Sequence, residues 1–176
     1  MIVGVLQWLT YRDALATNKI VERAYVSMSH VQPGFVFVNN MTGNPHDIHV
    51  TVRITNSGHT PADILGYDVR LPFDTALVND PDWPPPNDES PIACVMPNDH
   101  FDVWLNFPIP SEVIDLLADA AIPSYLIGWV IYRDRFGKRH RSGYGRRYIQ
   151  ALVNGGNNLV FITEPGYNYE DDLDEN

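Results

Sequence analysis

Residues 48–71, IHVTVRITNSGHTPADILGYDVRL, decide the fold. Ile48, Val50, Val52 and Ile54 alternate with His49, Thr51, Arg53 and Thr55. That period of two marks a strand with one buried face and one wet face. Asn56-Ser57-Gly58-His59-Thr60-Pro61 then breaks the run. Gly58 reads as a residue able to take a positive φ, and Pro61 fixes its own φ and cannot donate to a ladder. A second alternating run follows, with Leu65, Tyr67, Val69 and Leu71 on one face. Two half-buried strands joined by a polar turn are not stable alone in water, so a second sheet must cover them.

The rest of the chain supplies candidates. Residues 24–31 and 35–38 read as strands separated by the turn signal Pro33-Gly34. Residues 95–107 alternate again, with Phe101, Val103, Leu105 and Phe107 on one face and His100, Asp102, Trp104 and Asn106 on the other. Residues 125–132 are apolar on both faces, as in a central strand covered on both sides. Residues 134–138 read as a hairpin connection with Gly137 in the left-handed position, and the return strand 139–148 puts His140, Ser142, Tyr144 and Tyr148 on one face. A last strand falls at 159–163. Residues 5–23 carry Val5, Leu9, Ala16 and Ile20 at helical intervals without an interrupting Pro or Gly. Ser111 and Glu112 open a short helix over 112–120. The sum is an all-β chain: an antiparallel β-sandwich of seven or eight strands with an N-terminal helix and one short helix in a connection. The divisions are 1–23 for the helix, 24–163 for the sandwich and 164–176 for an acidic tail that reads as frayed.

Composition narrows the class. The chain has 176 residues, enough for one domain with a core of its own. Its single cysteine, Cys94, excludes an intramolecular disulfide and a cysteine zinc cage, and reads as a small half-buried side chain. Residues 79–92 are rich in proline and acid, an extended loop with polyproline character at Pro84-Pro85-Pro86. The net charge is −10, yet residues 133–147 hold seven of the twelve basic residues against one acid, Asp134. The apolar opening, residues 1–9, is shorter than the ~20 residues a bilayer core requires. It reads either as the start of an amphipathic packing helix or as the end of a membrane span, with Trp8, Tyr11 and Arg12 placed as interfacial anchors.

Three segments carry a resemblance. ERAYV (22–26), NSGHTPA (56–62) and IYRDRFGKRHRSGY (131–144) resemble a group of uncharacterised bacterial proteins with a short N-terminal membrane segment followed by one immunoglobulin-like β-sandwich domain. The resemblance implies the immunoglobulin-like form of the sandwich and association with a membrane; it implies no activity and no site residue.

Reactive constellations are weak. His46 and His49 have a metal-ligand spacing only on a helix; on a strand, positions three apart face opposite sides, so they read as surface histidines. His59 and His140 have Ser57 and Ser142 near them in sequence, but SGYG (142–145) is no nucleophile elbow. Gly143-Tyr144-Gly145 lies in a strand pattern, where its glycines mark a bulge or close packing rather than a phosphate loop. No cofactor motif is present. The basic hairpin stands out: Arg133, Arg135, Lys138, Arg139, Arg141, Arg146 and Arg147. It can dock the chain's own acidic segments, face anionic lipid, or contact a protein partner. Nucleic acid is disfavoured by the acidic remainder. The expectation is a non-enzymatic interaction or scaffold domain tethered near a membrane and otherwise cytoplasmic. Two alternatives are a ligand-binding or hydrolytic sandwich with a loop site near His59 and the basic hairpin, and a structural subunit joined through the apolar strand 35–38.

Overall fold

The structure, a computed structural model, describes residues 12–15, 22–31, 36–38, 47–73, 90–108, 113, 123–150, 157–162 and 167–173. In chain order the strands are β1 (Val26–His30), β2 (Val36–Val38), β3 (Asp47–Asn56), β4 (Ala62–Arg70), β5 (Ala93–Val95), β6 (His100–Pro108), β7 (Ser124–Asp134), β8 (Arg139–Gln150), β9 (Asn157–Phe161) and β10 (Glu170–Asp172). They form two antiparallel sheets. In one, β3 has β1 and β2 along one side and β6 along the other. In the other the order is β10-β8-β7-β4-β5, with β9 also paired to β8. The chain is therefore all-β in two layers, the arrangement of a sandwich.

The alternation in the sequence builds the interior. Ile48, Val50, Val52 and Ile54 of β3 are at most 2% exposed. They share one apolar cluster with Ile64, Val69, Leu126, Val130, Tyr132 and Tyr144 from the other sheet. Fully burying one such aliphatic side chain is worth about 1.5–3 kcal/mol, so a charge at Ile54 would undo the seam between the layers. As its two-sided hydrophobicity predicts, β7 is buried along nearly its whole length between β4 and β8. Its second face packs Tyr125 and Ile127 with Ile162 and Tyr167, and Trp129 and Ile131 with Leu65 and Leu173.

The hairpin between β7 and β8 is as read. Gly137 has φ of 83°, Gly137 N donates to Asp134 O, and Asp134 N donates to Lys138 O. The glycines of β8 mark close packing: a Cβ on Gly143 would run into the Tyr169 ring, and one on Gly145 would meet Tyr167 Cβ at 2.7 Å.

Several expectations are corrected. The strands flanking 56–62 are not neighbours, because β3 lies in one sheet and β4 in the other. The turn is an arch between layers, and Asn56 is its pin. This fully buried amide donates to Thr60 O at 2.8 Å and Val95 O at 3.0 Å, and accepts from Gly58 N at 2.9 Å and Tyr25 N at 3.3 Å. Gly58 is needed not for a positive φ but for space, since a Cβ there would sit 2.5 Å from Arg23 O and from Tyr25 N. A bulge between Ile64 and Gly66 shifts the register of β4. Leu65 consequently leaves the face of Tyr67, Val69 and Leu71 and packs on the far side with Trp129. The strand read as 95–107 is two strands in different sheets, broken at Asn98, whose φ is 61°. Cys94 is exposed.

The acidic tail read as frayed from residue 164 carries β10, antiparallel to β8 with Asp171 opposite Arg141. Its low hydrophobicity is offset by ion pairs and by buried Tyr167. These additions bring the strand count among the described residues to ten. Residues 12–15 are helical, whereas Glu22 and Arg23 lie in a turn and bend, so the helix read over 5–23 does not reach its predicted end. Val113 is helical and the remainder of 112–120 lies outside the described residues, as do His46 and most of the proline-rich loop. Among the described residues, no helix is long and apolar enough to cross a membrane.

Candidate functional site

Two arginines of the basic hairpin meet the chain's own acids. Arg133 reaches Asp63 at 3.3 Å, and Arg141 reaches Asp171 at 3.3 Å with its guanidinium 5.2 Å from the Tyr169 ring. The main-chain carbonyl of Arg139 accepts from Leu173 N. Arg146 donates to Asn168 Oδ1 and Gly145 O and lies 4.5 Å from the Tyr144 ring. Burial lowers the pKa of this guanidinium, with Tyr144 opposing. Arg135, Lys138 and Arg147 are the exposed members. The seven side chains therefore spread over two strands and a turn, and two of them, Arg133 and Arg141, are paired with acids of the domain.

The centre of this docking is His140, 1% exposed. Its ring bridges Asp134 Oδ2 at 3.1 Å and Asp172 Oδ1 at 2.5 Å. The other Asp134 oxygen accepts from Phe136 N and Lys138 N, closing the hairpin. Tyr132 donates its hydroxyl to Glu170 at 2.9 Å. Burial, then Glu170, pushes the Tyr132 phenol well above its ordinary pKa. Arg23 pairs with Glu170 at 3.1 Å and Asp172 at 3.5 Å. Burial pulls its pKa down, but these acids and Tyr25 hold it above the usual value. Sequence reasoning did not assign Arg23, Glu170 or Asp172 to any site, because they lie about 150 positions apart; the one available signal was the opposition of a basic hairpin and an acidic tail. Among the described residues no cluster of His, Cys, Asp and Glu could hold a metal ion.

His59 sits exposed in the arch, its main-chain N donating to Arg23 O, and Ser57 Oγ donates to Tyr25 O. Ser142 is buried on β8. His30 Nδ1 lies 2.8 Å from the Tyr144 hydroxyl, and burial, then Arg146, lowers its pKa.

The outer face of the β3 sheet is of a different kind. Strand pairing places its side chains in transverse rows. Val31, whose N donates to Thr51 O, leads to Thr51 and then to Trp104. The next row is Ser29, Arg53 and Asp102; the next is Ser27, Thr55 and His100. Trp104 is 84% exposed and Val31 44%. Arg53 grips Asp102 with two hydrogen bonds of 2.7 and 2.9 Å. That contact holds the Asp102 carboxyl below the usual carboxylate range. The face carries short hydroxylated side chains, one internally neutralised ion pair and the exposed indole of Trp104 on β6, which among the described residues pairs with β3 alone. Sequence alternation put Trp104 on a wet face without indicating that its strand is the border.

Compared with protein-family models, curated proteins and solved structures, the chain matches none of them.

Proposed function

We propose that this chain is a binding module of the immunoglobulin-like kind, which docks a partner protein on the outer face of its β3 sheet with Trp104 as the anchor. The pairing order β1-β3-β6 in one layer and β5-β4-β7-β8 in the other supports the immunoglobulin-like reading. It corresponds to strands A-B-E set against C′-C-F-G. The observation that carries the docking face is the 84% exposure of Trp104 at the midpoint of a nine-residue strand. Tryptophan concentrates binding energy when a partner desolvates it, and the cores of interfaces are enriched in aromatic side chains and depleted of charged ones. The test is photo-crosslinking in cells with a benzoylphenylalanine at position 104 and, as control, at exposed Arg70 on the other sheet. A discrete adduct from 104 alone is expected. The same adduct pattern from both positions would overturn the assignment.

Exposed Arg135, Lys138 and Arg147, together with the apolar residues 1–9, support a second reading in which the module lies against an anionic membrane. Each basic residue near such a surface contributes about 1 kcal/mol. The chain is then expected to float with phosphatidylserine vesicles, and the triple change to glutamate at these positions to abolish flotation. Equal recovery of both proteins in the pellet would rule the membrane role out.

A further inference from the structure

The docking face ends in a strand that fits a second copy of itself. Among the described residues β6 pairs with β3 alone, so it borders its sheet, and border strands are templates for further pairing. Its inward row is less well covered than that of β3. Phe101, Leu105 and Phe107 are only half-buried where they join the core, while their partners Ile54, Val50 and Ile48 are at most 2% exposed. A strand added here would finish that cover.

Which strand fits follows from symmetry and charge. β6 runs from His100 to Pro108, so Trp104 is its midpoint. When two copies of β6 pair antiparallel about that midpoint, Trp104 faces Trp104 of the second copy. Phe101 meets Phe107, Val103 meets Leu105, and Asp102 meets Asn106. Apolar positions coincide on the inner face, and on the outer face Asp102 and Asn106 flank the paired indoles, as a two-fold contact demands. Charge selects the same border. In a chain of net charge −10, most self-contacts set acid against acid. β6 has one acid, Asp102, which Arg53 already neutralises and which falls opposite an amide.

We propose, resting on the docking face above, that the partner at β6 is a second copy of this chain. The two four-stranded sheets then join into one continuous sheet with the paired indoles on the two-fold axis. Facing aromatic pairs stabilise such strand pairs beyond their buried area. A contact built mainly on one strand pair is small, and interfaces below about 1,200 Å² are transient, so the dimer is expected at tens of micromolar rather than nanomolar.

Sedimentation equilibrium of the full chain over about 1–200 µM tests this on the scale where such dimers dissociate. The mass is expected to rise from 19.9 kDa towards twice that value. Trp104→Arg, which sets two cations on the axis, should weaken association at least tenfold without altering the fold, because the site is exposed. The register has its own test in a Cys94→Ser background. Central antiparallel partners bring Cα atoms to about 4.5–5.5 Å, within disulfide reach. Trp104→Cys should therefore cross-link to itself on mild oxidation, and Asp102→Cys, displaced from its own copy by four residues, should not. A monomer at every concentration, or equal cross-linking of both cysteines, overturns the self-pairing. If the chain is monomeric but position 104 still captures another protein in cells, the docking face stands and only the identity of the occupant falls. If neither occurs, both fall.

Discussion

Removing the Asn56 side chain should cost the domain a large share of its stability. The amide satisfies four main-chain groups: the N–H groups of Tyr25 and Gly58, and the carbonyls of Thr60 and Val95. Gly58, Thr60 and Val95 are buried, so water does not replace the amide at full strength. An orphaned buried polar group costs about 1–3 kcal/mol. The four share one cavity and are not additive, which places Asn56→Ala near 4 kcal/mol, against a total of about 5–15 for a typical domain. With a urea m-value of roughly 2 kcal/mol/M, the midpoint should fall by about 2 M at unchanged m. Asn56→Asp sharpens the argument. It keeps both acceptor contacts but turns an oxygen against the carbonyls of Thr60 and Val95. At neutral pH it should cost at least as much as alanine, with part of the loss recovered in acid, where the protonated carboxyl can donate once. A loss below about 1 kcal/mol for Asn56→Ala, or a wild-type midpoint for Asn56→Asp, would refute the view that this amide pins the arch.

Three further expectations concern other parts of the fold. Gly143→Ala should cost about 1–3 kcal/mol by overpacking and should speed amide exchange across 167–173, because its Cβ strikes Tyr169. Gly137→Ala, with nothing within 4 Å but φ at +83°, should cost about 1–2 kcal/mol and leave that exchange unchanged; equal exchange in both variants would deny the packing role. Asp102, its pKa depressed by Arg53, contributes stability that is present above its unfolded value and lost as pH falls through the lower folded one. Its NMR titration midpoint should rise in Arg53→Gln, and an unmoved midpoint would contradict the pair. Tyr132 and Tyr144, both raised chiefly by burial, contribute stability that is present below the ordinary tyrosine pKa and lost as pH climbs above it. Their absorbance change at high pH should coincide with loss of the far-UV signal; full titration of all tyrosines in a native-like fold would contradict their placement.

What could be read in advance were the local features. The alternation at residues 48–54, the two-sided apolarity of 125–132, the left-handed Gly137 and the packing glycines of β8 are properties of short windows, and each stands where the pattern put it. What escaped depends on distant partners. Nothing within NSGHTPA indicates that its strands part company, because the reason is Asn56 bonding to Val95 and Tyr25. The bulge at Leu65 turns that side chain onto Trp129 and Ile131 of the far face, which lie more than sixty positions on in the chain. The acidic tail looks like a solvated end until Arg23 and His140 stand opposite it. The candidate surfaces divide the same way. The basic hairpin announces itself by composition, but composition does not say which arginines are already answered, nor that the strand bearing Trp104 is a border.

Because the arch sends β3 and β4 into opposite layers, the chain cannot assemble by laying each strand beside the last. The two broadest pairings outside the β7–β8 hairpin link segments such as Arg53 with Asp102 and Asp63 with Arg133, 49 and 70 positions apart. Each such closure loses loop entropy before contacts repay it. Folding on the millisecond-to-second scale of non-local β proteins follows, with the β7–β8 hairpin as the segment able to form first and the layers closing around it.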